Sequence, residues 1–313
     1  RDRRAPPTPP RTPRRPQSGP YAPGMTNRPL ISAAELLRLG RSGADDLRIV
    51  DCRWVLGQPG AGAEAYADGH LPGAIHVDLD TDLADPAGFG APGRHPLPSP
   101  AAFTARMAEL GIGDASRVVA YDDVGGWVAA RLWWMLDVLG HPSVRVLDGG
   151  FAAWVAAGGE LTTDVPQWPT GNLRLADHWD RVIERDELKR RLGSVVLLDA
   201  RAAPRYRGDT EPIDPVGGHI PTARNLAVTA NLTDAGRFRP ADELLAQFRD
   251  LGADGSDRPV VTSCGSGVSA LHHALALRAA GLPDPILYVG SYSDWSRSGE
   301  AVATGAEPGD PPA

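Results

Sequence analysis

Cysteine is nearly absent: Cys52 and Cys264 are the only two in 313 residues. So few cannot build a disulfide framework. In a chain with no export signal they read as a protein of a reducing cytoplasm, where each cysteine is either packing or chemistry. Long hydrophobic runs are also missing. The longest apolar stretch, Trp127 to Leu139, is interrupted by Arg131 and Asp137, so no membrane-spanning helix and no membrane partner are expected. Positive charge is scarce outside the first segment. Residues 1–24 hold six arginines and one acidic residue, a net +5 within a total of −7, which leaves −12 on residues 25–313. That acidity argues against a nucleic-acid-binding body. The same segment has eight prolines and almost no aliphatic side chains, too little apolar surface to offset its ordering entropy. It precedes the first methionine, Met25, and lacks the apolar core of a signal peptide, so residues 1–25 are expected to be a disordered, dispensable tail.

The rest is ordinary for a folded chain, 42% hydrophobic and 23% charged, enough for two domains of about 150 residues each. The two are expected to be copies. IVDCR at 49–53 returns as LLDAR at 197–201, and GHLPGA at 69–74 as GHIPTA at 218–223. VVAYD at 118–122 returns as VVTSC at 260–264, and the stretch ending at Trp154 as the one ending at Trp295. Order and spacing are kept together, which chance similarity does not do. Each half alternates short β-rich runs with helical stretches closed by glycine, the pattern of an α/β fold with a parallel sheet under helices. Strands are expected at Leu47–Asp51, Val118–Tyr121 and Val144–Leu147, then at Val195–Asp199, Pro259–Ser263 and Pro285–Val289. Helices are expected over Asp242–Leu251 and Ser266–Ala280, each stopped by glycine. The domains are placed at 26–162 and 181–313, joined by a proline-rich linker at 163–180.

Cys264 follows one of these strands and precedes a helix. Gly265, Ser266, Gly267, Val268 and Ser269 come next, small enough for successive backbone N–H groups to turn toward the sulfur. Such a cradle at a helix N-terminus favours an anion. A free thiol is only about 3% ionised at pH 7, and lowering its pKa by roughly two units makes it mostly thiolate. Cys52 ends a strand with arginine and tryptophan after it and no glycines, and reads as packing. The string GSGVSA also fits a dinucleotide fingerprint, but the acidic residue at the required distance, Asp284, precedes its strand rather than ending it. A cysteine phosphatase needs arginine six residues after the cysteine, where this chain has Ala270. His272 and His273 are neighbours on a helix and cannot share one face as ligands, so no metal and no cofactor are expected.

CGSGVSA, the GH-[LI]-P elements of both halves, RHPLP at 94–98, ARLWWML at 130–136, LDGGFAAW at 147–154 and SYSDW at 291–295 together resemble tandem rhodanese domains over about residues 28–306. The closest branches are the 3-mercaptopyruvate and thiosulfate sulfurtransferases. The resemblance implies two α/β domains, each a parallel sheet flanked by helices on both faces, of which only the second is catalytic. Asp122 stands in the first where the second has Cys264, and the first domain should form one wall of the cleft. Cys264 would take a sulfur atom from a small-molecule donor as a persulfide and pass it to a thiol or cyanide acceptor, with a thioredoxin-like reductant as a further partner.

Gly265 then Ser266 match the mercaptopyruvate branch, whereas thiosulfate-preferring members carry cations there. In that branch the hydroxyl is held to work with a histidine and an acid of the first domain. Ser266 and His70 match by motif, with Glu64 and Asp68 as candidate acids. The competing reading of His70 is a turn histidine holding its loop, since His219 occupies the same motif in the second half. Of the two arginines that clamp the donor carboxylate in the family, Arg205 matches one. The loop that should carry the other reads TEPIDPVGG, with none, and Arg201 and Arg207 are the nearby cations, Arg201 reading as a partner of the strand aspartate before it. Mercaptopyruvate is therefore the expected donor, at a poor apparent affinity because half of the clamp is missing, with thiosulfate as the alternative donor and a persulfide carrier that relays sulfur without turning over small donors as the alternative to an enzyme.

Overall fold

The computed structural model describes residues 28–88 and 93–312, so the expected disordered tail lies outside the described residues. Two five-stranded sheets, each wholly parallel, carry the chain. The first contains β1 (Leu30–Ile31), β2 (Leu47–Asp51), β3 (Ala74–His76), β4 (Arg117–Tyr121) and β5 (Val144–Leu147), in the order β1-β5-β4-β2-β3. The second contains β6 (Val182–Ile183), β7 (Val196–Asp199), β8 (Arg224–Asn225), β9 (Val260–Ser263) and β10 (Ile286–Tyr288), in the order β6-β10-β9-β7-β8. Shifting every strand by five turns one order into the other, so the repeated motifs are a repeat of topology. Val118 to Tyr121 of β4 form an unbroken buried run because helices cover both faces of the sheet.

The helices of the first half are α1 (Ala33–Arg41), α2 (Ala61–Asp68), α3 (Pro100–Glu109), α4 (Ala129–Val138) and α5 (Gly150–Ala156). Those of the second are α6 (Arg185–Arg191), α7 (Ala203–Arg207), α8 (Ala241–Asp250), α9 (Ala270–Ala279) and α10 (Ser291–Trp295). One face of each sheet packs a core of its own, around Leu36 and Trp154 in the first half and Leu188 and Trp295 in the second. The opposite faces merge into a single core shared by both halves, in which α4 lies against α9. Both helices are mostly apolar because both are enclosed: Ala129–Leu136 and Ala270–Leu277 are buried without exception, and the polar side chains among them, Arg131, His272 and His273, are hydrogen-bonded.

Polar ties cross the same seam. Arg278 of α9 bonds Asp137 of α4 at 2.6 Å, and Arg181 reaches that aspartate at 2.7 Å. His272 Nε2 meets the Gly125 carbonyl of the first half at 3.1 Å, while Nδ1 takes the Asn231 amide at 3.0 Å. Expected from sequence to be plain helix residues, His272 and His273 are buried completely, and burial lowers their pKa to about 3 and about 4.

One helix starts later than its apolar pattern predicts. Residues 266–269 do not join α9, because the backbone there wraps around Cys264 and Gly267 takes φ +78°. Among the described residues, no helix is long and apolar enough to cross a membrane, and no group of His, Cys, Asp and Glu is arranged to hold a metal ion.

Candidate active site

Cys264 stands at the C-terminal end of β9, an inner strand, where parallel sheets open their crevices. It is 1% exposed, and the N–H groups of Ser266 and Gly267 point at its sulfur at 3.4 and 3.1 Å. Those are the inward-turned donors of the glycine-rich loop, and they stabilise negative charge on the sulfur. Gly267 has to be glycine: a Cβ would lie 2.4 Å from the Val289 carbonyl, on a backbone with positive φ. The other side of the loop is braced by the SYSDW segment. Ser291 Oγ takes the Cys264 N–H at 3.1 Å, and the Tyr292 and Ser293 amides bond the carbonyls of Cys264 and Gly265 at 3.0 and 2.9 Å.

The sulfur faces a cavity of about 230 Å³ between the two halves. The second half lines it with Arg205, Gly265, Ser266, Val268 and Ser269. The first contributes Trp54, Leu79, Arg94, His95 and Trp127. Gly267, which was expected in the binding set, turns its N–H to the sulfur and does not line the cavity. Arg205 reaches the cavity while its Nη2 and Nε are held by Glu211 at 2.7 and 3.1 Å. Arg201 pairs with Asp199 as expected, at 2.6 Å, and stacks on Tyr292; Arg207 turns outward to Asp209.

The expectation that His70 meets Ser266 fails. Both ring nitrogens of His70 are taken by backbone carbonyls, Tyr66 at 2.8 Å and Asp164 at 3.1 Å, and the ring stacks on Tyr66. His219 repeats the arrangement with Tyr206 and Glu307 at the same two distances. The GH-[LI]-P histidines are therefore fasteners, each tying its turn to a distant segment, and the candidate acids Glu64 and Asp68 are exposed on α2. The histidine that meets the Ser266 hydroxyl is His95, at 2.8 Å through Nδ1, and its Nε2 lies 3.2 Å from Asp80. Asp80 also accepts the Trp54 indole N–H at 2.9 Å, and its hydrogen bond to His95 lowers its pKa. A charged Asp80 requires the proton on Nε2, which leaves the Nδ1 lone pair to accept from Ser266. Burial lowers the His95 pKa against the pull of Asp80, so the ring is neutral at neutral pH.

Arg131 closes the assembly from below. Fully buried, it gives hydrogen bonds to the carbonyls of Leu83, His95 and Gly267 at 2.9, 2.9 and 3.1 Å, so one guanidinium holds the His95 loop and the cysteine loop together. Burial pushes its pKa down to about 10, and the charge of Cys264 opposes that shift.

With this geometry in hand, the Rhodanese-like domain pattern matches residues 32–157 and 184–298, once on each sheet. The chain belongs to the rhodanese-like family. It is 43% identical over 285 residues to a Pseudomonas aeruginosa protein named "Probable 3-mercaptopyruvate sulfurtransferase", covering 90% of this chain and 100% of that one. It is 37% identical to thiosulfate sulfurtransferase of Mus musculus, over 84% of this chain and 89% of the mouse protein. The solved 3-mercaptopyruvate sulfurtransferase from Leishmania major superposes with a TM-score of 0.76 at 32% identity, over 88% of this chain and 76% of that one.

The first rhodanese domain keeps the anion cradle but fills it from within. The Asp122 carboxylate accepts the N–H groups of Val124, Gly126, Val128 and Ala129 at 2.7 to 3.0 Å. In the second domain the Cys264 sulfur occupies the corresponding place and takes two N–H groups, whereas in the first a carboxylate takes four.

Proposed function

We propose that this rhodanese is a sulfurtransferase that takes sulfur from 3-mercaptopyruvate as a Cys264 persulfide and passes it to a thiol or cyanide. The single observation that carries the reading is the buried Cys264 sulfur, cradled by two N–H groups and open to a cavity also lined by Arg205, Ser266 and His95, with Asp80 behind His95. In the first half-reaction the Cys264 thiolate attacks the donor sulfur and the donor C–S bond breaks, its electron pair going to the carbon that becomes pyruvate's methyl group. The proton that left the donor thiol ends on that carbon, and Ser266, hydrogen-bonded to His95, is placed to relay it. In the second, cyanide attacks the outer sulfur, the S–S bond breaks, and thiocyanate leaves with the Cys264 thiolate restored.

Ser266 supports mercaptopyruvate over thiosulfate, because its hydroxyl suits proton relay and the loop brings no cation of its own to a sulfonate. The test is kcat/KM with mercaptopyruvate and with thiosulfate, cyanide being the acceptor in both, together with the intact mass of the donor-treated protein. A gain of one sulfur that is absent from Cys264→Ser, with mercaptopyruvate the better donor, is expected. A persulfide that forms only with a partner desulfurase would replace the enzyme with a carrier. A preference for thiosulfate would overturn the donor.

A further inference from the structure

The second domain holds another cavity, of about 460 Å³, at the opposite ends of its strands from Cys264. Its floor is the start of β7, with Thr222 and Arg224 at the entry to β8 and Arg258 ahead of β9, and its roof is the segment from Glu307 to Asp310. That segment is strapped down on both sides. His219 pairs with Ala303 and gives a hydrogen bond to the Glu307 carbonyl at 3.1 Å, the Thr222 N–H donates to the Pro308 carbonyl at 2.6 Å, and Pro311 packs against Gly193. The volume lies within the range of small-molecule sites, about 300–1,000 Å³.

The first domain provides an internal comparison. GHLPGA against GHIPTA sets Gly73 opposite Thr222, the strand registers set Ile75 opposite Arg224, and VVAYD against VVTSC sets Ser116 opposite Arg258. Small or apolar positions of one copy are thus two guanidinium groups and a second hydroxyl in the other. Thr222 keeps the left-handed backbone of its glycine counterpart, φ +70° against +76°, and its hydroxyl is buried with no partner among the described residues. Such a backbone strains a β-branched residue, and strain of this kind clusters at ligand sites. The strap differs too: between its contacts with the fastening histidine it runs only from Thr162 to Asp164 in the first domain, and farther, from Ala303 to Glu307, in the second.

The side chains of Arg224, Glu307 and Asp310 make no hydrogen bond or ion pair with any described residue, and Arg258 commits one nitrogen to the Val195 and Gly193 carbonyls, at 3.0 and 3.5 Å. Two cations on the floor and two carboxylates on the roof therefore line one cavity without pairing. An anion alone would meet the carboxylates, and a cation alone the guanidinium groups. A small molecule that carries both charges close together satisfies both walls. We propose that this cavity binds a free α-amino acid as its zwitterion, the carboxylate on Arg224 and Arg258 and the ammonium group on Glu307 and Asp310. The site lies apart from the sulfur chemistry and stands whichever donor Cys264 uses.

The experiment adds each common α-amino acid in turn, at millimolar concentration, to the full chain and reads the change in Tm, which a ligand of the folded state raises. At least one should raise it, and titration calorimetry then gives its Kd. Arg224 is exposed, so Arg224→Ala should fold, as its own Tm will show, and should weaken that binding about tenfold or more. Glu307→Gln should do the same, with sulfur transfer unchanged in both variants. The same amino acid stripped of its ammonium group, or of its carboxylate, should bind about tenfold or more weakly than the zwitterion. No rise in Tm with any amino acid would overturn the proposal. So would binding that survives Arg224→Ala, which places the ligand elsewhere, or a deaminated acid that binds as well as its parent, which makes the cavity a simple anion site.

Discussion

Replacing Asp80 by asparagine tests the Ser266–His95–Asp80 chain at its least obvious member. Asp80 accepts two N–H groups, from Trp54 at 2.9 Å and from His95 at 3.2 Å, one on each carboxylate oxygen. Asparagine keeps the size but has a single acceptor oxygen and a donating amide. If the oxygen stays with Trp54, the amide faces His95 Nε2, which must then become the acceptor, and the proton moves to Nδ1. Nδ1–H cannot accept the Ser266 hydroxyl, so the relay is broken by a tautomer change with every heavy atom in place. General acid–base assistance is worth about 10²–10⁴ in rate, or roughly 3–5 kcal/mol at 1.36 kcal/mol per decade. Asp80→Asn should therefore lower kcat with mercaptopyruvate about a hundredfold or more. Cyanolysis of the preformed Cys264 persulfide moves no proton and should stay within about threefold of wild type. Single-turnover measurement of the two half-reactions separates them. Equal losses in both, or none in the first, would refute the reasoning.

Acid should weaken the seam between the domains. His272 and His273 titrate at about 3 and about 4 when folded, below an unfolded value near 6.5, so the unfolded chain gains protons that the folded one refuses as pH falls from about 7. Between pH about 7.5 and 5 each should remove roughly 2 kcal/mol of stability, and His272→Gln should halve the combined loss in urea unfolding; an unchanged pH dependence in that variant would contradict the assignment. Cys52→Ser should keep most activity while Cys264→Ser loses it, because burial and the nearby Asp51, Asp122 and Asp82 charges push the Cys52 thiol well up, and faster alkylation of Cys52 than of Cys264 near neutral pH would reverse the roles. Gly267→Ala should abolish persulfide formation, since its Cβ would sit 2.4 Å from the Val289 carbonyl and must turn the N–H away from the sulfur, and retained activity would show that donor to be dispensable.

The duplication, the parallel sheets and the position of Cys264 were legible in the sequence because each is a local or periodic property. An apolar strand, a run of small residues and a glycine stop write themselves into consecutive positions. Which side chains meet the cysteine was not legible in the same way. His70 shares its motif with His219, a sign of a structural fastener that could be read without coordinates. Nothing local says that His95 crosses 171 residues to Ser266, or that Asp80 stands behind it. RHPLP was recognisable as a motif, but a motif names residues and not their partners. The missing arginine shows the same limit from the other side. The loop sequence showed only that a cation was absent, whereas docking of residues 93–95 against Ser293 brings Arg94 of the first domain onto the same Asp214 that Arg205 meets. Those choices belong to the interface between two copies of one fold, where contacts depend on how the domains pack and leave no period in either.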